Sequence, residues 1–312
     1  MYNNLCIIVP CYNEEKVIPE FYKRIKKVLE KLSISSEIIF INDGSSDHTE
    51  TILNAIAEED NSVKIISFSR NFGHQNAVTA GLNNCNTDLA VIIDVDLQDP
   101  PELIPDMIKT LKENEANMVY CIRKKRKGES YFKKKSAKLF YRFLNMFSEI
   151  KLPVDSGDFR IIDRNIITEF NRLHEKKKYI RGLVSWVGYK HVPFYYEREP
   201  RLAGETKYPL SKMVKFATSS MLYFSTKPLR IATMLGFLSV IFALGLTAWS
   251  IMGKIFGYTH ADTGWTSLFV LITFFGGIQL ITIGIIGAYV GNLFEEIKNR
   301  PEYIIKDKKN FD

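Results

Sequence analysis

Short apolar runs alternate with helix-patterned segments along the first 122 residues. Between the first two runs, apolar side chains recur every three or four residues from Val17 to Leu32, as on the buried face of a helix. Further helices are predicted around residues 49–56, 76–82 and 101–111. The apolar runs, each typical of a buried strand, cover residues 5–9, 37–41, 63–68, 89–94 and 118–122. Strands alternating with helices predict an α/β fold with a mainly parallel, Rossmann-like sheet.

The C-terminal part of the chain has a different pattern. Residues 231–253 form an uncharged run of 23 residues, and residues 263–294 form a second of 32 residues. A helix of ~20 apolar residues crosses a bilayer core of ~30 Å, so both runs are predicted to span a membrane. Lys and Arg flank the two runs on their outer sides, whereas the connection offers only Lys254. This asymmetry predicts cytoplasmic termini and an external connection.

Positive charge is concentrated in one window. The 312 residues carry a net charge of +7, but residues 123–142 alone contain ten Lys or Arg and one acid, a net charge of +9. Such a window with interleaved aromatics fits nucleic-acid binding, a solvated face, or an amphipathic helix on anionic lipids. The two predicted spans favour the membrane and anionic lipids over nucleic acid. Residues 209–224 have the pattern of a second interfacial helix.

Cysteine usage and missing motifs exclude several classes. The four cysteines form no CxxC pair and have no histidine at zinc spacing, which favours a reducing compartment. Neither GxGxxG nor GxxxxGK[ST] occurs, which disfavours a dinucleotide-binding Rossmann enzyme and a P-loop NTPase. Ligands of open parallel sheets bind at the carboxyl ends of the strands. Polar clusters follow the predicted strands at residues 10–15, 43–47, 70–75 and 94–99.

Carboxylates are the candidate chemistry of these clusters. Asp94 and Asp96 follow a very apolar strand, and with Gln98 they offer oxygen ligands for Mg²⁺ or Mn²⁺ shared with substrate phosphates. A solvated acidic turn is the alternative. Asp43 fits either a ribose or base contact or a helix cap, and residues 13–15 fit an acidic first helical turn. His48 and His74 have no partner at metal spacing, which favours structural or donor-contact roles.

Five motifs together resemble the GT-A-fold, family 2 glycosyltransferases. They are VPCYNEE at 9–15, INDGSSD at 41–47, RNFG at 70–73, DVDLQDP at 94–100 and GDFR at 157–160. With two C-terminal spans, the chain resembles more narrowly the polyprenyl-phosphate glycosyltransferases, namely dolichol-phosphate mannose synthase and the GtrB-type bactoprenol glucosyltransferases. The resemblance covers essentially the full length. A processive polysaccharide synthase of the same family is disfavoured, because QxxRW and additional spans are absent.

The resemblance implies a role for each matching residue. Asp94, Asp96 and Gln98 match the metal and diphosphate site, Asp96 counting as catalytic. Arg123 and Ser136 resemble the positions that hold the acceptor phosphate. Asp158 matches the proposed catalytic base, although a lipid phosphate is already anionic, so an orienting role is equally open. The implied nucleotide-sugar site consists of Pro10, Tyr12, Asn13, Glu15, Asp43 and Asp94, with Arg201 and Lys207 on a closing loop.

We therefore expect an inverting enzyme that transfers one sugar to undecaprenyl phosphate on the cytoplasmic leaflet of a bacterial inner membrane. UDP-glucose is the leading donor; GDP-mannose, UDP-GlcNAc or an aminosugar nucleotide is the alternative, as is a non-catalytic carrier of the polyprenyl lipid. The resemblance also implies a homo-oligomer, with a tetramer as one candidate. The expected domains are a GT-A domain at 1–208, a juxtamembrane helix at 209–230, spans at 231–253 and 265–291, and a basic cytosolic tail at 295–312.

Overall fold

The computed structural model describes residues 2–123, 156–176, 178–197, 225–256 and 264–311. The chain divides into two compact units: a body formed by Met1–Lys138, Ile150–Lys207 and Arg300–Asp312, and a second unit that contains Tyr208–Asn299. The predicted interfacial helix at 209–224 and almost all of the basic window lie outside the described residues, as do Ser136, Arg201 and Lys207.

Strands and helices alternate in the body as the apolar pattern predicts. In chain order they are β1 (Asn4–Cys11), α1 (Ile18–Leu29), β2 (Ser35–Asn42), α2 (Thr49–Glu59), β3 (Val63–Phe68), α3 (His74–Asn83), β4 (Leu89–Ile92), α4 (Ile104–Glu113), β5 (Met118–Arg123), β6 (Ser156–Asp163), α5 (Arg164–Asn171), α6 (Ile180–Trp186), β7 (His191–Tyr196) and, after the second unit, β8 (Ile305–Lys309).

The described strands form one sheet in the order β7-β5-β6-β4-β1-β2-β3-β8. The pairs β1–β2, β1–β4, β2–β3 and β5–β7 are parallel, which confirms the mainly parallel sheet. The central strands are apolar on both sides because helices cover both faces. From Leu5 to Val9, every side chain of β1 is fully buried.

Two antiparallel strands modify this pattern. β6 pairs with both β4 and β5, and its Arg160 lies opposite Ile92 at the end of β4. The beginning of β6 therefore lies at the same sheet edge as the carboxyl end of β4. β8 pairs with β3 and lies within the segment predicted as a basic tail. The apolar pattern of the sequence does not predict this strand.

The second unit contains two long apolar helices, α7 (Lys227–Ile255) and α8 (Gly264–Ile297). Within them, Lys227–Gly253 and Val270–Ile297 each have a mean hydropathy of 2.1 and are long enough to cross a membrane. The helices contact each other, with Phe242 and Phe274 packing edge to face at 6.1 Å between ring centroids. Large apolar side chains such as Leu244 and Leu280 are exposed, as expected for a surface facing lipid. These helices indicate a membrane-associated protein.

Candidate active site

The carboxyl ends of β1 to β4 meet along one edge of the sheet, and a polar loop follows each of them. The first two loops are linked by hydrogen bonds between side chains and backbone. Asn13, in a left-handed conformation with φ of 56°, accepts a hydrogen bond from the backbone N–H of Ser46 at 2.8 Å. Glu15 accepts one from the backbone N–H of His48 at 3.1 Å. Two of the predicted nucleotide-binding side chains thus fix the shape of these loops.

Tyr12 and Pro10 differ from these two residues. Pro10 is buried in β1 opposite Ile41 of β2, so it shapes the strand end. Tyr12 is 46 % exposed beside it, which leaves its ring accessible for stacking on a base or sugar. Of the four predicted residues of the first loop, Tyr12 is the one whose exposure best suits direct contact with a ligand.

Asp43, at the end of β2, holds the third loop in place. Its two carboxylate oxygens accept hydrogen bonds from the backbone N–H groups of Phe72 and Gly73, at 2.7 and 2.9 Å. The neighbouring Gly44 has a φ of +65°, and a Cβ built there would lie 2.3 Å from the backbone carbonyl carbon of Arg70. Only glycine allows the second and third loops to approach so closely.

The acidic turn after β4 explains how Asp94 and Asp96 can serve one site. Leu97 is held at a φ of 58°, a left-handed conformation that is rare for a bulky side chain. Asp96 accepts a hydrogen bond from the backbone N–H of Gln98 at 3.1 Å, which closes the turn. The backbone therefore curls after Asp94 instead of continuing as a strand. Such strain is often found at functional sites.

Asp158 lies at the beginning of β6 and is surrounded by cations. Nε of Arg181 donates to one carboxylate oxygen at 2.7 Å, and Nη2 donates to the other at 2.9 Å. Nε2 of His74 lies 3.4 Å from Asp158 and 3.7 Å from Asp94. His74, from α3, thus lies between two acids that are 64 residues apart in the chain. Arg160 is buried beneath them and donates to the backbone oxygens of Gly157 and Asp158, at 2.9 and 3.2 Å.

The charges of this cluster are strongly coupled. Burial raises the pKa of Asp94 to about 6, and the carboxylates of Asp158, Asp96 and Asp99 act in the same direction, against His74. Burial alone would raise the pKa of Asp158, but Arg181 and His74 hold it well below its usual range. Burial would likewise lower the pKa of His74, yet Asp158 and Asp94 raise it to about 9. An ionised Asp158 clamped by Arg181 is a poor proton acceptor near neutral pH.

A second polar chain leads from the acidic turn to β5. The Tyr196 hydroxyl donates a short hydrogen bond to the buried Asp99, and Nε of Arg123 donates to the same hydroxyl at 3.4 Å. This chain fixes the guanidinium predicted to hold the acceptor phosphate. Asp99 and Tyr196 were not predicted as site residues, because their contact joins the turn after β4 to β7, which are distant in sequence.

Oxygen ligands are available at the acidic turn, although no complete metal centre is formed there. Among the described residues, no group of three or more His, Cys, Asp or Glu side chains could hold a metal ion by itself. Asp94, Asp96 and Gln98 supply only oxygen ligands, which suit Mg²⁺ or Mn²⁺. Burial is the main cause of the raised pKa of Asp94, and the nearby carboxylates of Asp158, Asp96 and Asp99 add to it, so a divalent cation bound here would offset several negative charges. These residues therefore fit a cation whose coordination a ligand completes.

Comparison with known proteins gives consistent matches. Residues 6–170 match Glycosyl transferase family 2. The chain is 47 % identical over 301 residues to the uncharacterized glycosyltransferase YkcC of Bacillus subtilis, covering 96 % of this chain and 92 % of YkcC. It is 41 % identical over 305 residues to the prophage bactoprenol glucosyl transferase homolog of Escherichia coli, covering 98 % and 99 %.

A bactoprenol glucosyl transferase of Shigella phage SfV is 40 % identical over 306 residues, covering 98 % of this chain and 99 % of the phage protein. Among solved structures, glucosyl-3-phosphoglycerate synthase from Mycobacterium tuberculosis, in complex with Mn²⁺, UDP-glucose and phosphoglyceric acid, has a TM-score of 0.48 and 18 % identity, covering 71 % of this chain and 78 % of that one.

Proposed function

Because the chain belongs to glycosyl transferase family 2, we propose that this glycosyltransferase moves one sugar from a nucleotide sugar to a polyprenyl phosphate. The preferred substrates are UDP-glucose and undecaprenyl phosphate, and the product is a polyprenyl-phosphate sugar with an inverted, β-configured anomeric centre. The observation that carries the proposal is the sequence identity of about 40 % to bactoprenol glucosyl transferases over 98 % of the chain. This similarity includes the two apolar helices, which a soluble acceptor would not require.

The geometry of the site supports this chemistry. Donor and acceptor both carry phosphate, so the main task is to bring two anions together and to stabilise the departing diphosphate. His74 and Arg181 contribute cations next to Asp158, and Arg123 contributes another on β5. A lipid phosphate is already ionised at neutral pH and needs no strong base. We therefore propose that the role of Asp158 is to orient the side chains of Arg181 and His74.

Asp94, Asp96 and Gln98 are the residues that would hold Mg²⁺ or Mn²⁺. The bound cation would supply charge neutralisation for the diphosphate. Tyr12 is available for the nucleoside, while Asn13, Glu15 and Asp43 keep their loops in the required shape. The roles of Ser136, Arg201 and Lys207 remain those that the family resemblance implies, since these residues lie outside the described ranges.

The active site is proposed to face the cytoplasm, at the inner membrane of a bacterium. The sheet of the body contains β3, which precedes the two apolar helices, and β8, which follows them. Both ends of the helix pair therefore connect to one folded body, which requires an even number of crossings. The excess of Lys and Arg outside the connection supports a cytoplasmic location of that body. A homo-oligomer in contact with anionic lipids completes the proposal.

A donor screen tests the proposed function. The purified full chain is mixed with undecaprenyl phosphate, Mg²⁺ and UDP-glucose, GDP-mannose or UDP-GlcNAc, and both nucleotide release and the glycolipid are measured. We expect release of UDP from UDP-glucose together with a lipid that carries one sugar. Turnover with a different donor would correct the sugar, and a polymeric product would favour a processive synthase. No turnover with any donor would favour a lipid carrier.

Chelation tests the proposed cation site separately. EDTA should abolish turnover, and added Mg²⁺ or Mn²⁺ should restore it. Asp96→Ala should remain inactive at any metal concentration while inserting into membranes as the unaltered chain does. Glu113→Gln, at an exposed site on α4, is the matched control and should respond to EDTA and metal like the unaltered chain. Full turnover of Asp96→Ala would remove Asp96 from the site.

A further inference from the structure

The segment that follows the second apolar helix is attached to the loop between β3 and α3. We refer to residues 300–311 as the C-terminal segment and to residues 69–76, which include the first three residues of α3, as the β3–α3 loop. In the C-terminal segment, β8 pairs with β3 so that Lys309 lies opposite Ile65 and Ile305 opposite Phe68. The ladder shifts register between Ser67 and Phe68, where the chain enters the loop. The C-terminal segment thus reaches the active-site end of β3.

Contacts from three consecutive residues hold both ends of the β3–α3 loop. The backbone N–H of Ser69 donates to the carbonyl oxygen of Ile304 at 3.0 Å. The Asn76 amide donates to the carbonyl oxygen of Glu302 at 3.1 Å and to that of Phe72, within the loop, at 2.9 Å. The Tyr303 ring stacks on Phe68 at 5.0 Å between centroids.

The same segment also holds the chain that leads into α6. Nζ of Lys178 lies 3.4 Å from the carboxylate of Glu302, and the two side chains are only 5 % and 13 % exposed. Two residues later, the backbone N–H of Ile180 donates to the side-chain oxygen of Gln75 in the loop at 3.0 Å. The next residue is Arg181, which clamps Asp158. The buried ion pair therefore joins the C-terminal segment to the chain that bears Arg181. That chain is in turn bonded to the β3–α3 loop, which bears His74.

A strand that only covered a sheet edge would not need these contacts. Backbone pairing and exposed lysines are sufficient to protect an edge, and β8 has both. A buried ion pair is weak evidence for stability, because desolvation offsets most of the attraction between the charges. Glu302 and Tyr303 are better explained by the geometry they impose on the β3–α3 loop, which carries His74 and binds Asp43.

We propose that the C-terminal segment is a positioning element of the donor site, and that Glu302 and Tyr303 act through the β3–α3 loop. This inference rests on the proposed function for its catalytic readout. The loop presents its Phe72 and Gly73 amides to Asp43 and its His74 to Asp94 and Asp158. When the segment is released, the loop loses its fixed ends, and the groups that meet the nucleotide sugar lose their alignment.

The test compares two substitutions at opposite ends of the segment in the full chain. Tyr303→Ala removes the stack on Phe68 next to the loop. Asn310→Ala is the matched control, because the Asn310 amide anchors the far end of the segment to the carbonyl oxygens of Ala57 and Val63, both at 2.8 Å. For each variant we measure the melting temperature, amide hydrogen exchange across residues 69–76, and KM and kcat for the nucleotide sugar found active in the donor screen.

Tyr303→Ala should accelerate exchange in the loop and raise the donor KM by about 5- to 10-fold, in line with the loss of one or two contacts. Asn310→Ala should lower the melting temperature while leaving loop exchange and donor KM within about twofold. Tyr303→Phe keeps the stacked ring, so its loop exchange and its donor KM should equal those of the unaltered chain. If Tyr303→Ala does not fold, Glu302→Gln, which breaks the ion pair with Lys178, replaces it with the same expectations.

Equal effects of Tyr303→Ala and Asn310→Ala on the loop, or faster exchange without a change in donor KM, would overturn the inference. An unchanged loop in Tyr303→Ala would do the same. Hydrogen exchange needs no turnover, so these outcomes differ from a failure of the proposed function, in which the unaltered chain transfers no sugar from any donor.

Discussion

At the scale of single residues, Asp158 illustrates how neighbouring groups decide the role of a carboxylate. Its oxygens accept two hydrogen bonds from Arg181, and its pKa is held well below the usual range. Asp158 therefore stays ionised at neutral pH, and its interactions orient cations. We expect Asp158→Asn and Arg181→Met each to lower kcat/KM by about 100-fold, as loss of one preorganised electrostatic group does. Steady-state kinetics with the active donor measures this.

The double variant distinguishes orientation from proton transfer. Residues that act as one unit are not additive, so Asp158→Asn combined with Arg181→Met should lose little more than either single variant. If kcat/KM of the unaltered enzyme falls at low pH, kcat/KM of Asp158→Asn should fall in the same way. Multiplicative losses would show that Asp158 and Arg181 act independently and would contradict the orienting role, and a fall at low pH that disappears with Asp158 would indicate a base.

Asp60, at the end of α2, gives a stability prediction away from the site. Its carboxylate accepts hydrogen bonds from Tyr22 at 2.7 Å and from the backbone N–H of Ser62 at 2.9 Å, and it forms an ion pair with Lys26. Although burial opposes it, these partners lower the pKa of Asp60 below its usual value. Asp60→Asn should therefore cost about 1–3 kcal/mol of the free energy of unfolding at pH 7.

The pH dependence follows from the sign of the shift. Because the pKa of Asp60 is lower in the folded protein than in the unfolded chain, where it is 3.8, the ionised carboxylate stabilises the fold at any pH above 3.8. This stabilisation is lost as the pH falls through the pKa of the folded state. The difference in melting temperature between the unaltered chain and Asp60→Asn should be constant from pH 5 to 7 and shrink below about pH 4. Glu113→Gln, at an exposed ion pair with Lys109, should show a small difference at every pH. A difference for Asp60→Asn that grew on acidification would contradict this assignment.

At the scale of elements, a strand was predictable when its own residues form an apolar run. A strand that forms only because it pairs with a neighbour was not. β1 to β5 and the helices between them agree with the apolar pattern to within a few residues, because each buries its own apolar side chains. β8 has the sequence IKDKK, with no alternation of apolar and polar residues. It becomes a strand by pairing with β3, which is information that its own residues do not contain.

The candidate site likewise contains residues that the sequence identifies and contacts that only the fold creates. Asp43, Asp94 and Asp96 stand out as candidates because they follow apolar strands directly, and the family resemblance supplies their predicted roles. The ion pair of Arg181 with Asp158 was missed, since the two residues are 23 positions apart and Arg181 belongs to no motif. His74 was noticed, but its contacts with Asp94 and Asp158 arise only when α3 is placed against β4 and β6. Residue types at strand ends are thus readable from sequence, whereas their charge partners require the fold.

The close approach of the second and third loops can be tested at Gly44. A Cβ at this position would lie 2.3 Å from the Arg70 carbonyl carbon, and a φ of +65° adds strain for any other residue. Gly44→Ala should push the third loop away from Asp43 and reduce turnover by about 100-fold, as misplacement of catalytic groups by about 1 Å does. Turnover per folded molecule is measured, with circular dichroism to follow the fold.

Gly81 provides the matched control for this prediction. A Cβ on Gly81 of α3 would lie 2.3 Å from Cγ2 of Ile8 in β1, so Gly81→Ala also overpacks a close contact, but in the core. We expect it to cost about 1–3 kcal/mol of stability and to leave the turnover of the folded fraction nearly unchanged. If both variants lost stability and turnover in the same proportion, the loop contact at Gly44 would have no specific role in catalysis.

At the scale of the whole molecule, one sheet constrains the path of the entire chain. β3 comes before the two apolar helices and β8 after them, yet the two strands are paired along four registered positions. The chain that leaves the body for the helices must therefore return to it. If the two helices span a membrane, they must therefore cross it an even number of times, and the distribution of Lys and Arg independently predicts the same.

Cysteine labelling tests this path directly. The native cysteines Cys6, Cys11, Cys85 and Cys121 are all buried, so an impermeant maleimide should label them little in the folded chain. Phe256→Cys lies at the end of the first apolar helix, where the residue is 65 % exposed, and Asp307→Cys lies at an exposed position of β8. If the connection is external, as proposed, Phe256→Cys should react in intact spheroplasts, whereas Asp307→Cys should react only after lysis. The reverse pattern would invert the orientation, and reaction of both in intact cells would separate β8 from a cytoplasmic body and contradict the single sheet.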